Sequence, residues 1–161
     1  MNDIEKQFVG VWDLRDWTHT NLSTGAVSQV HGGDYAGNLL YTLSGWVSVS
    51  LIEKTRPNVS EDRAARYALH AKLKYEGYSD LSDAEMEHLM PYALSAFGFI
   101  SYFGTFEADD TEVRHLAITA ARPNHVGQIL PRKHIFKDNM LTLYGDAGGF
   151  RDTLLWARVA P

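Results

Sequence analysis

Eight extended runs, rich in β-branched and aromatic residues and separated by turn residues, constrain the fold of this sequence most. They cover 9–19, 37–43, 46–53, 98–108, 112–121, 127–137, 140–145 and 150–159. Four junctions are short and turn-rich: Ser44-Gly45, Asp109-Asp110-Thr111, Asp138-Asn139 and Ala147-Gly148-Gly149. That is the chemistry of hairpin connections, so the runs pair with their sequence neighbours in an antiparallel meander. The first run opens with Gly10-x-Trp12 and the last ends with Leu155-Trp156-Ala157-Arg158. If these two runs pair, the sheet closes into a barrel, with the Arg158 guanidinium across the Trp12 ring plugging one end. Eight strands enclose just enough space for side chains or one small ligand, and a plugged end makes the other end a pocket. The expected fold class is therefore mainly β, a closed antiparallel barrel of about eight strands. It is read as a single domain over 1–161, with a helical insert at about 57–97 between strands three and four.

The insert carries its own punctuation. Ser60 followed by Glu61 and Asp62 reads as a helix start, and Ser82-Asp83-Ala84-Glu85 as a capping box. In the second helical piece Met86, Leu89, Met90, Ala93, Leu94 and Phe97 form one apolar stripe at helical spacing, which Pro91 should kink or split. The stripe either docks the helix on the barrel or makes it a lid over the pocket mouth.

Composition narrows the partners. Fifteen Lys and Arg against twenty Asp and Glu give a formal charge of −5, without the basic stripe that a phosphate backbone or an anionic membrane requires. Neither nucleic acid nor a membrane is an expected partner. The absence of cysteine excludes disulfides, thiolate metal sites and a Cys nucleophile, and fits a reducing compartment. Met1-Asn2-Asp3-Ile4-Glu5-Lys6 holds no apolar stretch resembling a signal peptide, and no segment approaches the ~20 apolar residues of a membrane span. The expected location is the cytoplasm, and an exposed edge or apolar patch would support a homodimer.

Strand parity assigns inward-facing side chains, because successive residues point to opposite faces. It places Trp12, Leu14 and Asp16 inside from the first run, and Leu130, Arg132, His134 and Phe136 from the sixth. Asp152, Leu154 and Trp156 share the face of Arg158 in the last. The fifth run is open: either the row Val113, His115, Ala117, Thr119 and Ala121 faces in, or the row of Leu116 and Ile118. Buried polar groups are costly unless paired. Those here are either satisfied among themselves, by an Asp–Arg pair and a His bonded to a carbonyl, or kept to orient or transform a ligand.

General acid–base work needs a group that titrates near neutrality. His134, His115 and His125 are the candidates. With Arg132 and Asp16 they form a set that could polarise a carbonyl, hold an enolate and move a proton with no cofactor. Tyr102, Tyr41, Leu14, Leu130, Phe136 and Trp156 are the expected ligand contacts within the barrel. Asn124, in the loop with His125, and Tyr35, after the glycine-rich His31-Gly32-Gly33-Asp34, complete the set at the rim. That loop lacks the Gly-x-Gly-x-x-Gly pattern of phosphate binding. No two histidines have the close spacing usual for metal ligands, so no metal is expected, although haem on one exposed His stays open. A Ser-His-Asp hydrolase is unsupported, since Gly-x-Ser-x-Gly is absent.

Tyr102-Phe103-Gly104-Thr105-Phe106-Glu107-Ala108-Asp109, then Val113-Arg114-His115 and Pro123-Asn124-His125-Val126-Gly127, resemble the lipocalin-like domain family of small stand-alone proteins. Gly10-x-Trp12 and Leu39-Leu40-Tyr41-Thr42-x-x-Gly45 also fit it, so the resemblance spans most of the chain apart from the insert. It implies an antiparallel barrel with a central cavity. Relatives of this fold include carriers of apolar ligands, and cofactor-free cyclases, isomerases or lyases acting on polyketide-like or phenolic substrates. Two positions depart from the pattern: Leu116 stands where relatives often have a second His, and His125 where they often have an aromatic. A paired-histidine site is therefore not carried over, while a site using His125 would be particular to this chain.

The expected function is binding of a small hydrophobic carbonyl, phenolic or polyketide-like molecule in the barrel, with cofactor-independent acid–base chemistry of isomerase, cyclase or lyase type. The alternative is a non-catalytic carrier of a small apolar ligand. A third reading is a partner-binding barrel with a filled interior.

Overall fold

The computed structural model describes residues 1–160, which divide into two compact units: Met1–Lys54 with the chain from Phe99 onward, and Thr55–Gly98. The first unit contains helix α1 (Asp3–Phe8) and nine strands. These are β1 (Gly10–Asn21), β2 (Val27–Gln29), β3 (Tyr35–Tyr41), β4 (Trp46–Glu53), β5 (Phe99–Ala108), β6 (Glu112–Ala120), β7 (Ile129–Lys137), β8 (Met140–Ala147) and β9 (Phe150–Ala160). Strands β3 to β9 form an antiparallel meander, β1 pairs with both β3 and β9, and the sheet closes into an eight-stranded barrel. Strand β2 is a three-residue addition to the far half of β1, where Thr18 opposes Gln29. All three of its residues are exposed, so no alternation marks it in the sequence.

One end of the barrel is sealed as the Gly-x-Trp and Arg pattern predicts, with an addition. The Arg158 guanidinium lies 4.0 Å from the Trp12 ring centre and donates to the carbonyls of Val9 and Gln7. The Trp12 indole donates to the Phe8 carbonyl at 2.7 Å. Arg158 thus satisfies carbonyls at the end of α1 that the helix leaves unpaired. This orients Phe8, fully buried, onto Tyr41, Phe136 and His134 with ring centroids 5.2, 4.8 and 5.0 Å apart. The short helix itself starts in a capping box between Asn2 and Glu5.

Two bulges set which side chains reach the interior. Between β1 and β9, Leu14 opposes Trp156 while Asp16 opposes Leu155, leaving Arg15 as an extra residue. The bulge reverses parity. Trp17 is therefore the buried residue beyond it, and the expectation that Asp16 faces inward is corrected. Between β5 and β6, Phe103 opposes Thr119 and Gly104 opposes Ala117, so Ile118 is the extra residue. A side chain at Gly104 could not exist: its Cβ would lie 1.8 Å from the Leu116 carbonyl oxygen. This resolves the open choice on the fifth run. Val113, His115 and Ala117 face in, Leu116 and Ile118 face out, and beyond the bulge Ala120 packs on the core in place of Thr119 and Ala121.

The second unit holds α2 (Arg63–Tyr75) and α3 (Asp83–Phe97). Asp62 caps α2, and Ser82 with Glu85 forms the expected capping box on α3. Lys72 joins the helices through Glu85 at 2.8 Å. Pro91 does not split α3. The Tyr92 hydroxyl donates to the Ser60 carbonyl and the Ser95 hydroxyl to that of Pro57, ties that hold the turn in which Pro91 removes a ladder bond. Of the apolar stripe, Leu89 faces a cleft with Leu69 and Leu73, whereas Met86, Met90, Leu94 and Phe97 are exposed.

Candidate functional site

The barrel end opposite Trp12 contains a cavity of about 270 Å³. Its apolar wall comes from alternate residues of several strands: Leu39, Val49 and Leu51, then Leu143 and Leu154. Trp17 and Trp156 add aromatic faces. The size is at the lower edge of the ~300–1,000 Å³ typical of small-molecule pockets, so the fitting ligand is compact.

Behind one wall stands a chain of three buried polar rings. His115, 1% exposed, lies 2.7 Å from the Tyr41 hydroxyl through Nε2 and 2.7 Å from the Tyr102 hydroxyl through Nδ1. Tyr102 and His115 line the cavity, whereas Tyr41 sits deeper, against Phe8 and Phe106. Burial first, and the field of Arg132 second, push the His115 pKa down to about 3, because neither a desolvated site nor a neighbouring cation tolerates imidazolium. Burial pushes Tyr102 up to about 12. Both rings are therefore neutral across the physiological range.

Arg132 enters from β7, where residues 130, 132, 134 and 136 alternate inward as expected. The guanidinium donates to the Pro131 carbonyl at 2.7 Å and, among the described residues, has no carboxylate within ion-pair distance. Its placement follows from a break in the sheet. The β7–β8 ladder runs from Lys137↔Met140 to Lys133↔Tyr144 and stops; beyond it Pro131 has no N–H to donate. A cleft of about 360 Å³ opens there, and it shares Leu130, Arg132, Ala147 and Asp152 with the cavity. Arg132 lies across this gap over Gly145, where an added Cβ would meet its Cδ at 3.3 Å.

Two further polar groups complete the wall. His125, in the 3-10 turn Pro123–His125, has a buried Nδ1 without a partner. Burial lowers its pKa, and Arg122 and Arg132 lower it further. The Trp156 indole N–H is likewise buried and unpartnered. Asp152 is engaged: its Oδ1 lies 2.6 Å from His19 Nε2 and accepts from the Trp17 indole at 3.3 Å.

The structure brings together His115, Arg132, His125, Tyr102, Leu130 and Trp156 around one space. Other sequence candidates lie elsewhere. His134 and Phe136 belong to the sealed end, with His134 bonded to the Asp109 carbonyl. Leu14 is buried in the core off the cavity wall. Asp16 accepts from the Tyr35 hydroxyl, which accepts from the Trp17 N–H; the pair pins β1 rather than lining the pocket. Asn124 is exposed beside His125. Parity would have found Val49 and Leu51, which alternate with Ser48 and Ser50, whereas Trp17 was hidden by the bulge. Among the described residues no three His, Asp or Glu are placed to hold a metal ion, and no helix is long and apolar enough to cross a membrane.

The lipocalin-like domain family matches residues 9–159. The chain belongs to that family. No curated protein sequence matches it. A solved structure of a mutant of the fluorescent protein UnaG is similar at 10% identity over 96% of this chain and 97% of that one, with a TM-score of 0.40. In this lipocalin-like barrel the Tyr102–Asp109 segment reads position by position: Tyr102 on the cavity, Gly104 at the bulge, Phe106 in the core and Asp109 at the hairpin, accepting from Thr111 and Glu112. Leu116 points outward, so a histidine there would not join His115 in the cavity.

Proposed function

We propose that this barrel binds a small, mostly apolar molecule with a polar head of carbonyl, phenolic or polyketide-like type in the cavity opposite Trp12. The observation that carries the reading is a largely apolar cavity whose lining residues Trp156 and His125 each hold a buried polar atom, Nε1 and Nδ1, without a partner. Buried polar groups are normally satisfied, and a ligand head supplies what the protein leaves open. Trp17 and Trp156 make the test direct, because a bound aromatic ketone such as 2-acetylnaphthalene quenches them. Saturable one-to-one quenching is expected, weakened at least tenfold in a folded Val49→Phe or Leu143→Phe variant that fills the cavity. Quenching unaffected by either filling contradicts the reading. Mass spectrometry of what co-purifies identifies the natural ligand.

Turnover without a cofactor, as an isomerase, cyclase or lyase, is the second reading. It is favoured by the unpartnered nitrogen of His125 near the neutral Tyr102–His115 pair, a base and an oxygen-polarising donor on one cavity. His115 itself, held neutral down to about pH 3, is no proton shuttle near neutrality. This reading predicts that the co-purified compound is converted on incubation, and that His125→Ala binds it and returns it unchanged. Recovery unchanged from the native protein leaves binding alone.

A further inference from the structure

We propose that the cavity recognises the ligand head as a bare acceptor oxygen, a carbonyl or a carboxylate, through the Tyr102 hydroxyl. Tyr41, set behind the wall, is the positioning residue that makes Tyr102 a donor. The proposal rests on the binding reading above and names the class of head group that the site takes.

The argument is one of proton counting. A neutral imidazole has one N–H and one bare nitrogen, and His115 offers both nitrogens to tyrosine hydroxyls at 2.7 Å. Two arrangements are available. In one, Nε2 carries the hydrogen and donates to Tyr41, while Tyr102 donates to Nδ1. The Tyr41 hydrogen then has no acceptor among the described residues, in a site where the ring is 1% exposed and off the cavity. In the other, Tyr41 donates to Nε2, Nδ1–H donates to Tyr102, and the Tyr102 hydrogen is left to point into the cavity that Tyr102 lines. A buried donor left unmade costs its full desolvation, whereas a donor facing a ligand site is satisfied by water or ligand. Burial of Tyr41 therefore selects the second tautomer.

Most of the wall has the same polarity; His125 Nδ1, also unpartnered, donates or accepts according to its tautomer. The Trp156 indole can only donate, and it is unpartnered. Arg132 can only donate and has no carboxylate partner among the described residues. Asp152, the carboxylate on the wall, is already taken by His19 and Trp17. Residues on β5, β7 and β9 that carry donors thus line one space, and an oxygen with lone pairs and no hydrogen answers them. A site built this way discriminates strongly against a ligand that lacks the acceptor.

Nitrogen NMR of the unliganded full chain labelled at histidine tests the tautomer directly, because protonated and bare ring nitrogens resonate far apart. Protonated Nδ1 with bare Nε2 at His115 is expected; the reverse overturns the proposal. Binding of 2-acetylnaphthalene against 2-isopropenylnaphthalene, which keeps the trigonal carbon and nearly the same shape but lacks the oxygen, tests the recognition. The ketone should bind about tenfold tighter, the worth of one net hydrogen bond. Tyr102→Phe should erase the ratio by weakening the ketone alone. Tyr41→Phe should shrink the ratio and shift the His115 nitrogens toward a tautomer mixture, whereas a merely structural role would weaken both probes equally and overturn the assignment of Tyr41. Arg132→Gln separates the two head groups: selective loss of 2-naphthoate affinity marks carboxylate reading, and selective loss of neither leaves the ketone-type head. Equal affinity for the two uncharged probes overturns the proposal and leaves binding intact; binding of neither overturns both.

Discussion

His115 gives both ring nitrogens to tyrosines inside the barrel, and this has a thermodynamic consequence. Its pKa is lowered to about 3 in the fold, whereas the unfolded chain takes the proton near the ordinary value of about 6.5. Between those limits the unfolded state binds more protons, so stability is full above about pH 6.5 and falls as pH drops toward 3. From pH 7 to pH 5 the loss attributable to this ring is roughly 2 kcal/mol. Urea denaturation at the two pH values should show it in the native protein and show much less of it in His115→Gln. Equal slopes in the two proteins contradict the buried neutral ring. Asp109 and Glu85, whose partners hold their carboxyls below the usual range, lose their contribution only at lower pH, so they leave this window clear.

At the scale of elements, the two bulges decide the site. Gly104→Ala places a Cβ within 1.8 Å of the Leu116 carbonyl oxygen, which backbone cannot yield cheaply. A loss of about 2–4 kcal/mol is expected, read as a lower urea midpoint; an unchanged midpoint would show that the β5–β6 bulge is not as described. The sealed end is tested separately. Arg158→Ala loses a stacked guanidinium and its bonds to the Val9 and Gln7 carbonyls, about 1–3 kcal/mol. Arg158→Lys recovers little of it, because an ammonium lacks the planar fork. Neither change should alter probe affinity, since the cavity lies at the other end. These same elements show what a sequence can and cannot tell. All eight barrel strands were legible, because alternation and turn chemistry are local, and so was the inward row of β7. Parity fails where one residue is inserted: Arg15 hides Trp17 and misplaces Asp16, and nothing in the sequence marks a bulge except Gly104, whose need appears only when the partner strand is in place. Parity puts His134 on the inner face but does not assign it to the sealed end, since parity gives the face of a sheet and not the height along the barrel. The Tyr41–His115–Tyr102 chain joins residues 74 and 13 positions apart, a closure that only the registers of β3 to β6 bring about.

The barrel as a whole has one aromatic-filled end and one end with a cavity, and its polar groups are sorted between them. The aromatic packing of Phe8, Trp12 and Phe136 fills the first, while residues with unpartnered polar atoms, His125 and Trp156, line the second. This asymmetry turns a closed sheet into a vessel with a defined mouth. Location of a bound probe is therefore the most direct measurement. Intermolecular NOEs from 2-acetylnaphthalene should reach Tyr102, Leu143, Leu154 and Trp156. NOEs instead to Phe8, His134 and Phe136, or to Leu69 and Leu89 of the helical unit, would contradict the account.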